Sequence, residues 1–270
     1  MSLRFIVARS VEHAETPAAL ERFAAQLGHE IGETVEVELV PSYTALREAL
    51  QQGRAQLAWV PPVMLADGAA ALGLVPLATA VRDGSSEYCS VLFVRAESAL
   101  WELSDLRGRI VAWVDRCSAA GYLLPQLHLA TEGFNPKTLF AREQFAGSHG
   151  DVVRAVFEGS ADVGATFGGV SDDGVERSGF ADVDPKRPVR VVFRSAAVPA
   201  DAVVCDATLS SATRQRVVAA LQHLGTFAVG RRVTRRLFGA DGFTPFNPAS
   251  LERLRRLVVG ARDRGWLPPI

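Results

Sequence analysis

Cysteine is scarce in this chain: Cys89, Cys117 and Cys205 are the only three in 270 residues. An odd number without metal-ligand spacing excludes a disulfide framework and agrees with a reducing compartment. A dominant charge is also missing. The 29 basic and 30 acidic residues leave a formal net charge of -1, so no general attraction to nucleic acid or anionic lipid is expected. No apolar window is long enough to cross a bilayer, which excludes direct membrane insertion by a helix of this sequence. The N-terminus lacks the basic region, apolar stretch and cleavage site of a secretory leader; Met1-Ser-Leu-Arg-Phe-Ile-Val-Ala runs straight into a strand pattern. The protein is therefore expected in the cytoplasm, or the sequence is a mature domain trimmed of its leader. No internal repeat is present.

What remains is the signature of a globular α/β protein, with 48% hydrophobic residues and Gly and Pro spread regularly. Phe5–Ala8 and Val35–Val40 have strand character, with helical periodicity over Pro17–Leu27 between them. Tyr43–Gln52 reads as a helix capped by Ser42 and closed by Gly53, followed by a strand over Gln56–Val60, a helix opened by Pro61-Pro62 and a strand over Leu74–Ala80. After the polar turn Arg82–Glu87 a second series begins. Tyr88–Arg95, Ile110–Val114, Leu139–Ala141, Ala161–Thr166 and Val189–Phe193 read as strands, Leu103–Leu106 as a short capped turn, and Ala119–Glu132 and Val152–Glu158 as helices. Ser171–Pro188 has the least regular pattern, and Leu209–Val229 and Pro248–Arg264 are long helical stretches. The alternation predicts α/β lobes with mainly parallel sheets flanked by helices. Lobe 1 is expected over 1–86 and 195–270 and lobe 2 over 87–194, joined by a two-stranded hinge where the chain crosses near Ser85–Tyr88 and Arg194–Asp201.

The most informative segment is Val111-Ala-Trp-Val-Asp115-Arg-Cys-Ser118-Ala-Ala-Gly121-Tyr-Leu-Leu-Pro125. An apolar run ends at Asp115, a loop of small residues follows, and helical spacing begins at Ser118. The first N–H groups of a helix lack intrahelical partners and lie at the positive end of its dipole. Small residues let an anion approach them. Ser118 is thus either a helix cap alone or part of a site for phosphate, phosphonate, sulfate or carboxylate.

In this layout several motifs occur in order. They are Ser42-Tyr43-Thr-Ala-Leu-Arg-Glu-Ala-Leu before Gly53, Ala58-Trp59-Val-Pro61-Pro, Tyr88-Cys-Ser90-Val-Leu-Phe-Val-Arg95, and Leu103-Ser-Asp105-Leu-Arg-Gly108. The Asp115–Pro125 loop follows, then Gly147-Ser148-His149, Ala161-Asp162-Val163-Gly164 and Val198-Pro199-Ala-Asp201. With them the sequence resembles, over nearly its whole length, the phosphate/phosphonate/phosphite-binding branch of the type 2 periplasmic solute-binding proteins, the substrate-binding components of ABC transporters. The resemblance implies a two-lobe fold with an anion held in the interlobe cleft. It assigns Tyr43 and Tyr88 as the two tyrosines around the ligand, Ser118 as the serine of a Ser-Thr pair, His149 as the histidine and Asp201 as the aspartate. Ala119 replaces the threonine and Ala120 the following serine, so only their backbone N–H groups remain to donate. Gly169 stands where some members place a glutamate for an amino group, which argues against an aminoalkyl phosphonate.

Each residue also has a packing or capping alternative. Tyr43 and Tyr88 are alternatively half-buried packing residues, His149 a cap, and Asp201 a turn former that would tolerate an anion only through a shared proton. Further candidates for the ligand are Arg9 after the first strand, Trp59 ahead of Pro61, with core packing as its favoured alternative, and Cys117, whose thiolate would gain from the adjacent helix start. The arginines at 231, 232, 235, 236, 253, 255, 256, 262 and 264 read as a solvated helical surface or a docking face, without a nucleic-acid motif.

The function so implied is non-enzymatic: a small oxyanion is bound, the lobes close, and an ABC permease or a signalling partner reads the closed form. No cofactor and no metal is required. Location is periplasmic or lipid-anchored if a leader has been trimmed, and cytoplasmic as the sequence stands. The alternative is an enzyme on the same fold, as in menaquinone-pathway dehydratases or pyrimidine-precursor synthases, since fold does not fix function. A third is a degenerate domain kept for protein contacts.

Overall fold

The short apolar runs become the inner strands of two α/β sheets in a computed structural model, which describes residues 2–8, 17–68, 72–116, 118–170 and 176–263. In chain order the first elements are β1 (Ser2–Ala8), α1 (Pro17–Ile31), β2 (Thr34–Val40), α2 (Tyr43–Gln51), β3 (Leu57–Val60), α3 (Pro62–Gly68) and β4 (Leu74–Val81). Then come β5 (Glu87–Arg95), a 3₁₀ turn over Leu103–Leu106, β6 (Ile110–Trp113), a π-turn over Ala119–Leu123, α4 (Leu124–Thr131), α5 (Pro136–Leu139), β7 (Arg142–Phe145) and α6 (His149–Glu158). They are followed by β8 (Val163–Val170), β9 (Glu176–Ser178), α7 (Gly179–Val183), β10 (Val189–Arg194) and β11 (Val198–Pro199). The last elements are β12 (Ala202–Asp206), α8 (Ser211–Leu224), α9 (Ala228–Phe238), β13 (Gly242–Pro245) and α10 (Pro248–Asp263). Contacts divide the chain into one unit of Met1–Ser86 with Pro199–Glu252 and another of Glu87–Val198 with Arg253–Ile270.

The first unit holds a sheet in the order β13-β4-β12-β3-β1-β2. Central β1 pairs in parallel with β2 (Phe5↔Val37) and with β3 (Phe5↔Leu57). Returning β12 inserts antiparallel between β3 and β4, so β1 to β4 share one direction and β12 and β13 oppose it. Five rings fill the core. Phe238, 2% exposed, packs edge-on to Phe23 at 5.0 Å and contacts Phe5, Trp59 and Phe243 at 6.2, 4.7 and 5.8 Å. Burial of rings this large dominates the local energetics.

The second unit orders its main strands β10-β5-β8-β6-β7, with β9 pairing β8. Here β8, β6 and β7 are parallel neighbours and β5 runs against β8 and β10. The core beneath β6 and β8 is formed by Phe93, Ala112, Val152, Val153 and Val156. Gly164 is forced by closeness: a Cβ there would come within 2.8 Å of both Phe93 and Val156.

Several sequence expectations shift. The strand expected over Leu139–Ala141 is instead Arg142–Phe145, because Asn135 caps a helical turn that runs to Leu139, its side chain accepting from Lys137 N at 3.1 Å. The helix expected from Val152 starts at His149, since Ser148 caps it. Leu209–Val229 is not one helix. It breaks at Gly225, and α9 turns so tightly on α8 that a Cβ on Gly230 would lie 2.1 Å from Leu224 O. Within Ser171–Pro188, residues 171–175 lie outside the described residues and the rest includes β9 and α7.

Candidate functional site

In the second unit β6 is followed directly by Val114, whose N–H donates to Gly121 O at 3.2 Å, folding the segment after the strand back on its own end. Ser118 has extended φ,ψ of −67° and 120°, and its Oγ accepts from Gly121 N at 3.0 Å. It therefore does cap the helix. The capping role and the binding role are compatible, because accepting through a lone pair leaves the hydroxyl proton to donate. Gly121 makes the geometry available: a Cβ there would lie 2.3 Å from Val114 Cγ2 and 2.8 Å from Ser118 Oγ. The turn opens as a π-turn, with Leu123 N donating to Ser118 O at 2.9 Å, and such turns recur at functional positions. Ala119 and Ala120 are buried, and Ser90 on β5 anchors the turn by donating to Ala120 O at 2.6 Å. Tyr88, two residues earlier on the same strand, is half-buried.

His149 is the first residue of α6. Its Nδ1 lies 3.0 Å from Thr166 Oγ1, and Phe167 meets the ring edge-on at 5.1 Å. Thr166 is fully buried, and Gly179 leaves the room it needs, since a Cβ there would be 2.1 Å from Oγ1. That contact engages Nδ1 and fixes the orientation of the ring. Ser148 caps the helix through Asp151 N and donates to Asp151 Oδ2 at 2.7 Å. That hydroxyl, together with Arg154, holds the Asp151 carboxyl below the usual carboxylate range. Thr166→Val is expected to weaken anion binding by roughly fivefold, the loss of one hydrogen bond to the ring. Calorimetry alongside ring-nitrogen NMR checks this, and an unchanged His149 tautomer with unchanged affinity would contradict it.

In the first unit Tyr43 is the first residue of α2, held by the Ser42 cap, whose Oγ accepts from Ala45 N at 3.1 Å. Asp201 precedes β12, and its Oδ2 is 2.9 Å from Arg82 Nη2. Arg82 also donates to Phe238 O at 3.0 Å and Gly239 O at 3.1 Å, the end of α9. The carboxylate of Asp201 is therefore charge-balanced within its own unit. Trp59, a candidate for the ligand, is 8% exposed, tilted against Phe238 and edge-on to Phe243, which makes it a core residue. Arg9 and Cys117 lie outside the described residues.

Thr166, Gly121 as a steric requirement and Arg82 as the partner of Asp201 escaped the sequence. All three depend on contacts distant along the chain. A threonine alone within an apolar strand was the one visible hint. No group of His, Cys, Asp and Glu that could hold a metal ion occurs among the described residues.

Comparison with known proteins gives a concordant result. The family model described as ABC transporter, phosphonate, periplasmic substrate-binding protein matches residues 5–251. The Phosphonates-binding periplasmic protein of Escherichia coli (strain K12) is 23% identical over 251 residues, 90% of this chain and 72% of that protein. XAC2383 from Xanthomonas citri bound to ATP superposes with a TM-score of 0.74 at 25% identity, covering 96% of this chain and 98% of that one. PhnD1 from Prochlorococcus marinus (MIT 9301) in complex with methylphosphonate shares the fold, with a TM-score of 0.71, 15% identity and coverage of 98% and 99%. Fold, motif order and a family match over most of the length agree: this chain belongs to the periplasmic substrate-binding proteins of ABC phosphonate transporters.

Proposed function

We propose that this protein binds a small phosphorus oxyanion of the phosphonate, phosphite or phosphate kind and delivers it unchanged to an ABC permease. The observation that carries this is the turn after β6, where Ser118 keeps a hydroxyl proton to donate beside the first N–H groups of a helix, and Gly121 keeps the turn closed. Tyr43, Tyr88, His149 and Asp201 complete the ligand set by family resemblance. Pairing with Arg82 offsets the negative charge of Asp201, which would otherwise repel an anion. Family membership favours binding over conversion, and the E. coli relative is named for binding phosphonates.

Calorimetric titration with phosphate, phosphite, methylphosphonate, 2-aminoethylphosphonate, sulfate and ATP tests the proposal; ATP is included because XAC2383 has been solved with it. Micromolar or tighter binding of one phosphorus oxyanion is expected, without turnover. Ser118→Ala is expected to weaken it about tenfold or more, as for a lost bond to a charged group. Heat from none of these ligands, or conversion of any of them, would contradict the proposal.

A further inference from the structure

The loop that carries Ser118 also carries an arginine to which the site so far gives no role. Arg116 is exposed, and its guanidinium carbon lies 4.6 Å from the Phe145 ring centroid and 6.0 Å from that of Tyr122. The two rings stand at 59° with centroids 5.4 Å apart, forming an aromatic corner, and Trp113 backs Tyr122 edge-on at 5.6 Å. Arg116 Nη1 reaches the Tyr122 hydroxyl at 3.4 Å. Burial pushes the Tyr122 phenol up, with the Glu143 charge adding and Arg116 opposing. Glu143 is itself committed, accepting from Trp113 Nε1 at 3.2 Å and Gln126 Nε2 at 3.4 Å. Among the described residues no carboxylate forms an ion pair with Arg116.

The position of Arg116 matters as well. Arg116 is two residues before Ser118, and Phe145 ends β7 four residues before His149. Trp113 and Phe145 are register partners at the carboxyl ends of the parallel pair β6 and β7, where both loops leave the sheet. Open α/β sheets take ligands at that edge. A guanidinium seated on aromatic faces has its plane fixed, and its edge N–H groups suit an oxyanion bidentately.

We propose that Arg116 is a specificity residue for ligands bearing a second anionic group, with the first held at the Ser118 turn and the second by the guanidinium. This rests on the anion-binding function proposed above. The test is calorimetry of the full chain with two matched pairs of probes, phosphate against pyrophosphate and methylphosphonate against phosphonoacetate. The two-headed member is expected to bind about tenfold tighter in the wild type. Arg116→Gln removes that advantage and leaves phosphate and methylphosphonate within about twofold, because only the second group has lost its partner. Arg116→Lys, which keeps the charge but not the planar fork, recovers part of it. A gain for pyrophosphate alone marks the second group as a phosphate, and a gain in both pairs marks a general anion. Equal effects of Arg116→Gln on all four probes, or no effect, would overturn the proposal while binding of the simple anions keeps the function standing. No binding of any probe to the wild type would overturn both.

Discussion

Gly121→Ala is expected to abolish oxyanion binding and to lower stability by about 2–4 kcal/mol, combining overpacking with the loss of a helix cap. The added methyl would lie 2.3 and 2.6 Å from two carbons of Val114 and 2.8 Å from Ser118 Oγ. Val114 is 5% exposed and fixed at the end of β6, so the Ser118 side of the turn must give way. Movement there breaks the Ser118 Oγ bond to Gly121 N and turns the hydroxyl from its present direction. Urea denaturation gives the stability change and calorimetry the binding. A variant that folds with reduced stability yet binds normally would show that the turn is a packing feature alone. Ser118→Ala provides the contrast, because it should weaken binding at a cost of only about 1 kcal/mol in stability.

The second large effect concerns the other unit. Phe238→Ala is expected to destabilise the protein by about 3–5 kcal/mol, since it opens a cavity among rings that relax only partly. Phe5, Phe23, Trp59 and Phe243 all contact Phe238. The residue also ends α9, where Arg82 binds its carbonyl and Asp201. Trp59 loses its nearest ring partner, so its fluorescence is expected to shift to the red in the folded variant. A stability loss below about 1 kcal/mol would contradict close packing at this point. The same packing implies that Trp59→Phe leaves ligand affinity unchanged, because Trp59 is a core residue.

Much of the fold could be read from the sequence because its inner strands are short, fully apolar runs. Ile110–Trp113 and Leu57–Val60 are of this kind. β7 could not be found that way: Arg142-Glu-Gln-Phe145 is an edge strand, mostly exposed, and it is defined by pairing with β6, not by apolar content. The start of α6 was hidden because Ser148-His-Gly-Asp reads as a turn until the Ser148 cap to Asp151 N is seen. The Ser118 turn was legible because a strand, small residues and a helix start are local features. Its neighbours were not. The bond joining Arg82 to Asp201 spans 119 positions, and the contact of His149 with Thr166 spans 17. For Trp59 the sequence leaves ligand and core open, since an aromatic residue ahead of a proline looks the same in either place, and burial against Phe238 assigns it to the core.

Backbone amide NMR during titration with methylphosphonate tests the central claim most directly. If the anion sits at the turn after β6, the largest shifts are expected at the amides of Ser118, Ala119, Ala120 and Gly121, accompanied by the His149 ring, and they should vanish in Gly121→Ala. Saturable binding that leaves these amides unmoved and shifts residues elsewhere would contradict the account.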